Sequence, residues 1–235
     1  MPPGLTRRFL LLGSASASMA QDLKPVISAV DHLLLGVADL DRGIDWVEKS
    51  SGVRAAVGGV HPGAGTRNAL LSLGAGHYLE IIAPDPDQAT AKDDRQLREL
   101  SSPRLITLAL TTNDIDSIAR KARKARLQVS GPQDGSRRLP SGKTLRWQTL
   151  TVPNDLGSGP IQPVPFFIQW APDSPHPSSD SPQGCALESL EFGHPDPPRL
   201  NLIFEALGLD ADVAAGNEVR IIARLKTPKG RLELS

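Results

Sequence analysis

Histidine and cysteine are the residue types whose side chains do the most varied chemistry, and the chain contains five histidines and one cysteine. His61 lies in a loop rich in glycine and proline, where it could contact a ligand or, as is commoner for a loop histidine, face solvent. His77 precedes a hairpin strand and is expected at the surface. His176 lies in a proline-rich linker and His194 stands at a turn, and neither has the spacing of a metal ligand. Cys185 has no basic neighbour to activate its thiol, and a single cysteine excludes an internal disulfide and a cysteine-rich metal cluster.

Other motifs with a known mechanism are absent from the sequence. It contains no P-loop, no Rossmann glycine fingerprint and no Gly-x-Ser-x-Gly elbow. Lysine and arginine number 26 and aspartate and glutamate number 26, so no general electrostatic attraction to nucleic acid or to an anionic membrane surface is expected. We therefore expect no nucleic-acid partner.

Short elements must position the remaining polar groups, because 21 glycines and 21 prolines among 235 residues exceed ordinary usage. Apolar periodicity predicts one unit, a strand, a helix and three further strands, at three places along the chain. The copies span 27–84, 104–172 and, in shorter form, 185–235. Polar or proline-rich linkers at 85–103 and 172–184 separate them.

Local signals predict where some of these elements begin and end. Asp39 or Asp41 is expected to cap the first helix, and Gly208 is expected to end the third. In the second copy the three later strands are expected near Leu127–Ser130, Leu145–Val152 and Val164–Trp170.

Two segments of the first copy resemble a known superfamily. The opening Asp-His-Leu-Leu-Leu-Gly-Val at 31–37 and the closing strand Tyr-Leu-Glu-Ile-Ile at 78–82 resemble the vicinal oxygen chelate superfamily, and the segment 59–73 is similar to its glyoxalase-like domain branch. The resemblance is clear over 27–172 and weaker over 185–235. It implies an α+β fold in which βαβββ modules form an open, mostly antiparallel, barrel-like sheet with the helices outside.

The same resemblance implies a metal site between modules, held by the first and last strand of each. The first module then supplies His32 and Glu80, an imidazole and a carboxylate that suit Zn, Ni, Mn or Fe. The second module places Thr107 and Ile168 at the matching positions and supplies no strong ligand, unless a shift of one residue presents Gln169.

The third module keeps the carboxylate, as Glu233, but has Ser189 at the histidine position. If modules one and three share a barrel, the implied metal set is His32, Glu80 and Glu233. If consecutive modules pair, only His32 and Glu80 remain, and a site without metal is equally plausible.

The missing second histidine argues against the dioxygenases of the superfamily. Its glyoxalase I-like lyases and isomerases use a glutamate both near the metal and as the base that moves a proton next to a carbonyl, so Glu80 and Glu233 are the candidate catalytic residues. His61, Asn68 and Trp147 are candidate ligand-binding residues, the last because it occupies the place of Asn68 in the second copy. The alternative is a non-catalytic small-molecule-binding barrel without metal, as resistance proteins of the superfamily are.

Residues 1–20 are expected to lie outside the fold. They carry Arg7 and Arg8, a short apolar run and small residues ending at Ala20, which indicates an export signal similar to the twin-arginine type, although Phe9 directly follows the second arginine. The alternatives are a disordered tail or a mitochondrial transit peptide. We expect an exported, periplasmic protein, or a cytoplasmic one if the signal is not used. The apolar run is too short to span a membrane.

The odd number of modules predicts one further feature. A βαβββ sheet without a partner leaves an exposed edge, which proteins avoid, so three modules favour a homodimer or an incomplete third sheet that covers the barrel.

Overall fold

The computed structural model describes residues 23–88, 94–138, 142 and 144–235, and the predicted export signal lies outside the described residues. The helices are α1 (Leu40–Ser51), α2 (Asp94–Arg98), α3 (Ile115–Lys124) and α4 (Pro197–Leu207). The strands are β1 (Lys24–Pro25), β2 (Val30–Gly36), β3 (Ala56–His61), β4 (Thr66–Ser72), β5 (Tyr78–Pro84), β6 (Arg104–Thr111), β7 (Ser130–Arg138), β8 (Thr144–Thr151), β9 (Phe166–Trp170), β10 (Ala186–His194), β11 (Leu209–Asp210), β12 (Val213–Ala215), β13 (Arg220–Thr227) and β14 (Gly230–Leu234).

The first two modules share one curled eight-stranded sheet with the strand order β3-β4-β5-β2-β6-β9-β8-β7. Each module contributes four strands in the same arrangement, with its last strand parallel to its first. The two halves join through the antiparallel pair β2 and β6. The predicted fold class is confirmed, and the modules that pair are consecutive ones.

Alternation along the strands separates the two faces of this sheet. Leu33 and Leu35 of β2 belong to the main apolar core, whereas the alternate residues His32 and Leu34 point to the concave face. The same period of two places Leu79 of β5 in the core and its neighbours on the concave face. The sheet therefore buries an aliphatic face on one side and presents its polar side chains to a cavity on the other.

Equivalent aspartates begin the three longer helices. The side chains of Asp39, Asp114 and Asp196 each accept a hydrogen bond from the backbone N–H three residues later. Gly208 ends α4 in the left-handed conformation, as predicted. None of the helices in the described part of the chain is long and apolar enough to span a membrane.

The third module has the predicted order of elements but a different strand pairing. Its sheet has the order β12-β10-β13-β14, so the short strand after the helix, and not the last strand, lies parallel to the first. The last strand β14 pairs with β13 at the far side. Phe192, Ile221 and Leu225 of this sheet lie in the same apolar core as the eight-stranded sheet, so the third module covers the larger sheet. The homodimer stays a prediction.

The second module also differs locally from expectation. Strand β7 runs over Ser130–Arg138, whereas the sequence predicted a strand near Leu127–Ser130. Three residues of β7, Gly131, Pro132 and Gly135, are of types that are typical of turns. β7 is an edge strand, and an edge strand tolerates proline since one side of it needs no ladder partner. The short helix α2 lies in a region that was expected to be a linker.

Candidate functional site

The concave face of the eight-stranded sheet encloses a cavity of about 190 Å³. Alternate residues of five strands point into it, single residues of β3 and β7 also line it, and so does Pro177 from the linker before the third module. The residues that line it are His32, Leu34, His61, Asn68, Leu70, Tyr78, Glu80, Ile82, Arg137, Leu145, Trp147, Thr149, Phe166, Ile168, Trp170 and Pro177.

Glu80 lies between two imidazole rings at the centre of the polar part of this cavity. Nε2 of His32 is 3.5 Å from Oε2 of Glu80, and Nε2 of His61 is 3.5 Å from Oε1. The carboxylate is buried, and so is His32, whereas His61 is half-buried. The structure thus places a carboxylate that water barely reaches beside two groups that can carry or donate a proton.

The Nδ1 atoms of both histidines are held by other side chains. Nδ1 of His32 lies 2.8 Å from Oδ1 of Asp31, and Nδ1 of His61 lies 2.9 Å from Oγ1 of Thr66. An ionised carboxylate can only accept, so the His32 Nδ1–H donates to Asp31. The Nε2 atoms are therefore the ones turned toward Glu80.

Asn68 fixes the orientation of the Glu80 carboxylate. Its Nδ2 donates to Oε1 of Glu80 over 2.7 Å and lies 3.3 Å from Nε2 of His61. Its Oδ1 accepts a hydrogen bond of 3.1 Å from Nη1 of Arg137. Arg137, Asn68 and Glu80 are thus joined in a chain of two hydrogen bonds, which keeps the carboxylate in one rotamer.

Asp31 is fully buried and accepts hydrogen bonds from three side chains. Besides His32, Nε1 of Trp170 donates to its Oδ2 over 2.9 Å and Nε2 of His176 donates to the same oxygen over 3.2 Å. Burial alone would raise the pKa of Asp31, but hydrogen bonds from His176 and His32 and their charges outweigh it and hold the pKa well below its ordinary value. Asp31 is therefore ionised and fixes the ring of His32.

Aromatic rings form the rest of the wall. Tyr78 stacks on His32 with ring centroids 4.5 Å apart, and Phe166 meets the same ring edge-on at 5.6 Å. Trp147 and Trp170 lie 5.5 Å apart on neighbouring strands. Burial, and then the charges of Glu80 and Asp31, raise the pKa of Tyr78, so its hydroxyl stays protonated and can donate a hydrogen bond.

Most of the residues predicted from the sequence come together here. His32, His61, Asn68, Glu80 and Trp147 all line the cavity.

Glu233 does not join them. It lies on β14 in the other sheet, exposed and paired with Arg224, because the last strand of the third module is not placed beside the first as β5 is beside β2. Gln169 faces away from the cavity and accepts the backbone N–H at the start of α3.

Three residues that the sequence prediction missed contribute to the site. Asp31 carried a signal, because an aspartate inside the apolar strand Val30–Gly36 must find partners when buried. His176 and Arg137 carried none, since the first lies in a linker and the second on a strand whose course was not predicted. Arg137 contacts Asn68 across a sequence separation of 69 residues, and His176 contacts Asp31 across a separation of 145.

The imidazole nitrogens and the carboxylate of the cavity are chemically suited to a divalent ion, but they are not arranged around a common point. Imidazole nitrogens and a carboxylate are ordinary metal ligands, and a histidine whose other nitrogen is held by a carboxylate, as His32 is by Asp31, is typical of metal sites. Among the described residues, however, no three or more His, Cys, Asp or Glu side chains form a group that could hold an ion. His32 and His61 instead each face one oxygen of Glu80.

Gly58→Ala is expected to lower the free energy of unfolding by about 1–3 kcal/mol. A Cβ at Gly58 would lie 2.4 Å from Oδ1 of Asn68 and 2.9 Å from Nη1 of Arg137, and the hydrogen bonds of Asn68 leave it little room to move. Urea unfolding measures the change. Gly193→Ala is the matched control, because its Cβ would meet nothing closer than 3.5 Å. Equal losses in the two variants would contradict the crowding at Gly58.

Two βαβββ modules that share a curled sheet over a buried histidine–glutamate pair define a protein of the vicinal oxygen chelate class. The model of the glyoxalase-like domain family matches residues 30–208, and the chain belongs to this family. The predicted resemblance is thereby confirmed.

One solved structure shares this fold, and a second is reported beside it for its sequence identity alone. A protein from Staphylococcus aureus described as hypothetical has a TM-score of 0.64 and 17% sequence identity, over 88% of this chain and 98% of that chain. Methylmalonyl-CoA epimerase from Mycobacterium tuberculosis has a TM-score of 0.43 and 21% identity, over 63% of this chain and 91% of that chain. Among curated proteins, none matches this sequence.

Proposed function

We propose that the chain is a glyoxalase-like lyase or isomerase that moves a proton on a small oxygenated substrate, with Glu80 as the base. One observation carries this proposal: the buried carboxylate of Glu80 lies 3.5 Å from Nε2 of both His32 and His61, on the wall of a cavity of small-molecule size. A carboxylate that is shielded from water and held in one orientation is suited to general-base catalysis.

In the proposed reaction Glu80 removes a proton from a carbon next to a substrate carbonyl. The C–H bond breaks, its proton forms an O–H bond on Glu80, and the electron pair moves to the carbonyl oxygen. The Tyr78 hydroxyl, which lines the cavity and stays protonated, can donate to that oxygen. Return of the proton to another carbon or face completes an isomerisation, and loss of a leaving group completes a lyase reaction.

A divalent ion, Zn, Ni, Mn or Fe, belongs to the same proposal. His32 and Glu80 would be its two protein ligands, since the described residues offer no group of three, and the ion would supply a Lewis acid for the substrate oxygen. One ion per purified chain, released in both His32→Ala and Glu80→Ala, would support this. Metal that survives both substitutions at full stoichiometry would contradict a site at these residues.

Exchange of carbon-bound hydrogen for deuterium tests the proposed reaction. The protein is incubated in D₂O with 2-oxoaldehydes, 2-hydroxy ketones and 2-oxo acids. Proton NMR measures the rate at which the signal of the acidic C–H disappears, and this rate is compared with the rate without protein. We expect faster exchange with at least one of these compounds. Saturable binding without exchange would instead support the alternative function, a non-catalytic binding barrel.

We also propose that residues 1–20 direct export, on the strength of their arginine pair, apolar run and small residues. Expression of the full chain in a bacterium with a twin-arginine pathway should yield periplasmic protein that begins after Ala17 or Ala20, as N-terminal sequencing would show. Arg7→Lys with Arg8→Lys should retain the protein in the cytoplasm. A full-length cytoplasmic product from the unaltered chain would contradict the proposal.

A further inference from the structure

Arg137 reaches the cavity from the opposite edge of the curled sheet. It lies on edge strand β7, yet its Nη1 donates to Asn68 on β4, next to the other edge strand β3. Two glycines of β3 make this crossing possible, because a Cβ at Gly58 would lie 2.9 Å from Nη1 and a Cβ at Gly59 would lie 3.4 Å from Cδ of the arginine. The guanidinium therefore lies across the open side of the sheet.

The charge of Arg137 has no carboxylate partner among the described residues. Within the described part of the chain, its guanidinium makes one hydrogen bond, to the neutral amide of Asn68, whereas Arg54, Arg146, Arg199 and Arg224 each contact an aspartate or glutamate. A guanidinium keeps its charge at all physiological pH values and has five donors, so several donors of Arg137 remain for a ligand.

Arg137 also stands where two cavities meet. It lines the cavity of Glu80 and an adjoining one of about 230 Å³, together with Leu70, Leu145 and Pro177. The adjoining cavity includes one acidic residue, the exposed Asp180, and is otherwise largely apolar. A ligand that fills either space would contact this cation.

We propose that Arg137 binds the carboxylate of an anionic substrate whose acidic C–H lies within one or two carbons of that carboxylate. The substrate class rests on the proposed function, since Glu80 is taken as the base. Asn68 alone separates the guanidinium from Glu80, through hydrogen bonds of 3.1 and 2.7 Å, so a carboxylate on Arg137 would place its neighbouring carbons beside Glu80. The aromatic rings of Trp147, Phe166 and Trp170 favour an apolar or aromatic substituent on the other side.

Calorimetric titration with phenylpyruvate and its methyl ester tests the proposal without turnover. Both compounds carry a carbonyl, an acidic C–H and a phenyl ring. The acid has a negatively charged carboxylate where the ester has a neutral ester group. We expect the unaltered chain to bind the acid at least tenfold more tightly than the ester, as a charge-assisted contact implies. Arg137→Gln should remove this preference, and Arg137→Lys should restore part of it.

Arg138→Gln is the matched control, because Arg138 is the next residue of β7, carries the same charge and is exposed and outside both cavities. It should leave the preference unchanged. Circular dichroism establishes that each variant is folded. Equal affinity for acid and ester, no binding of the acid at millimolar concentration, or equal losses in Arg137→Gln and Arg138→Gln would overturn the proposal.

The two proposals fail separately. An acid preference that depends on Arg137, without any deuterium exchange, would leave the anion site standing and contradict the proposed reaction. Exchange that depends on Glu80, with equal affinity for acid and ester, would contradict the anion site alone.

Discussion

Glu80→Gln is expected to lower the rate of deuterium exchange at least about 100-fold, while the affinity for the same ligand changes less than about threefold. General-base catalysis by one side chain contributes about 100- to 10,000-fold, and an amide of the same shape cannot take up the proton. The amide oxygen can still accept the hydrogen bond from Asn68, so the cavity should keep its form. Exchange measured by NMR and affinity measured by calorimetry separate the two effects.

Glu233→Gln is the matched control for this prediction. Glu80 and Glu233 each lie on the last strand of their module, but Glu233 is exposed and pairs with Arg224 on the other sheet. We expect its substitution to leave the exchange rate unchanged. An equal loss of rate in both variants, or a large loss of affinity in Glu80→Gln, would contradict the assignment of Glu80 as the base.

Asp31→Ala is expected to lower the free energy of unfolding by about 3 kcal/mol or more. The substitution leaves the donors of His32, Trp170 and His176 without their buried acceptor, and removal of one partner from a buried charged pair costs about 3–5 kcal/mol. Asp45→Ala is the control, because Asp45 is exposed beside Arg54 and should change stability by less than about 1 kcal/mol. Urea unfolding that shows similar small losses for both variants would contradict a structural role for Asp31.

The contribution of Asp31 to stability should also depend on pH. Its pKa in the folded chain lies below the ordinary value of 3.8, so the folded state binds the proton more weakly than the unfolded state does. The stabilisation is therefore fully present above about pH 5 and decreases as the pH falls below the ordinary pKa. The difference in unfolding free energy between the unaltered chain and Asp31→Asn should narrow in acid. A difference that is constant from pH 7 to pH 3 would contradict this linkage.

The sequence predicts the fold of the first two modules because their strands follow simple patterns. Short apolar runs such as Leu33–Leu35 and Tyr78–Ile82 mark buried strands, and Asp39 and Asp114 mark the starts of helices. The alternation of side chains along each strand places His32, Asn68 and Glu80 on one face once the strands are neighbours.

Strand pairing in the third module could not be predicted in the same way. The order of elements matches the first module, and Glu233 stands where Glu80 would be expected, yet pairing is set by packing between distant strands. The positions of Arg137 and His176 depend on the curl of the sheet and on the path of a linker, which no local pattern specifies.

Chemical rescue tests the central claim, that Glu80 is the base, most directly. Glu80→Ala leaves space for a small carboxylate beside His32 and His61, and added formate can take the place of the missing group. The account predicts that Glu80→Ala exchanges deuterium at least about 100-fold more slowly than the unaltered chain, and that added formate raises this rate in a saturable way. Formate should leave the exchange rate of Glu233→Ala unchanged. A Glu80→Ala variant that exchanges at the unaltered rate without formate would contradict it.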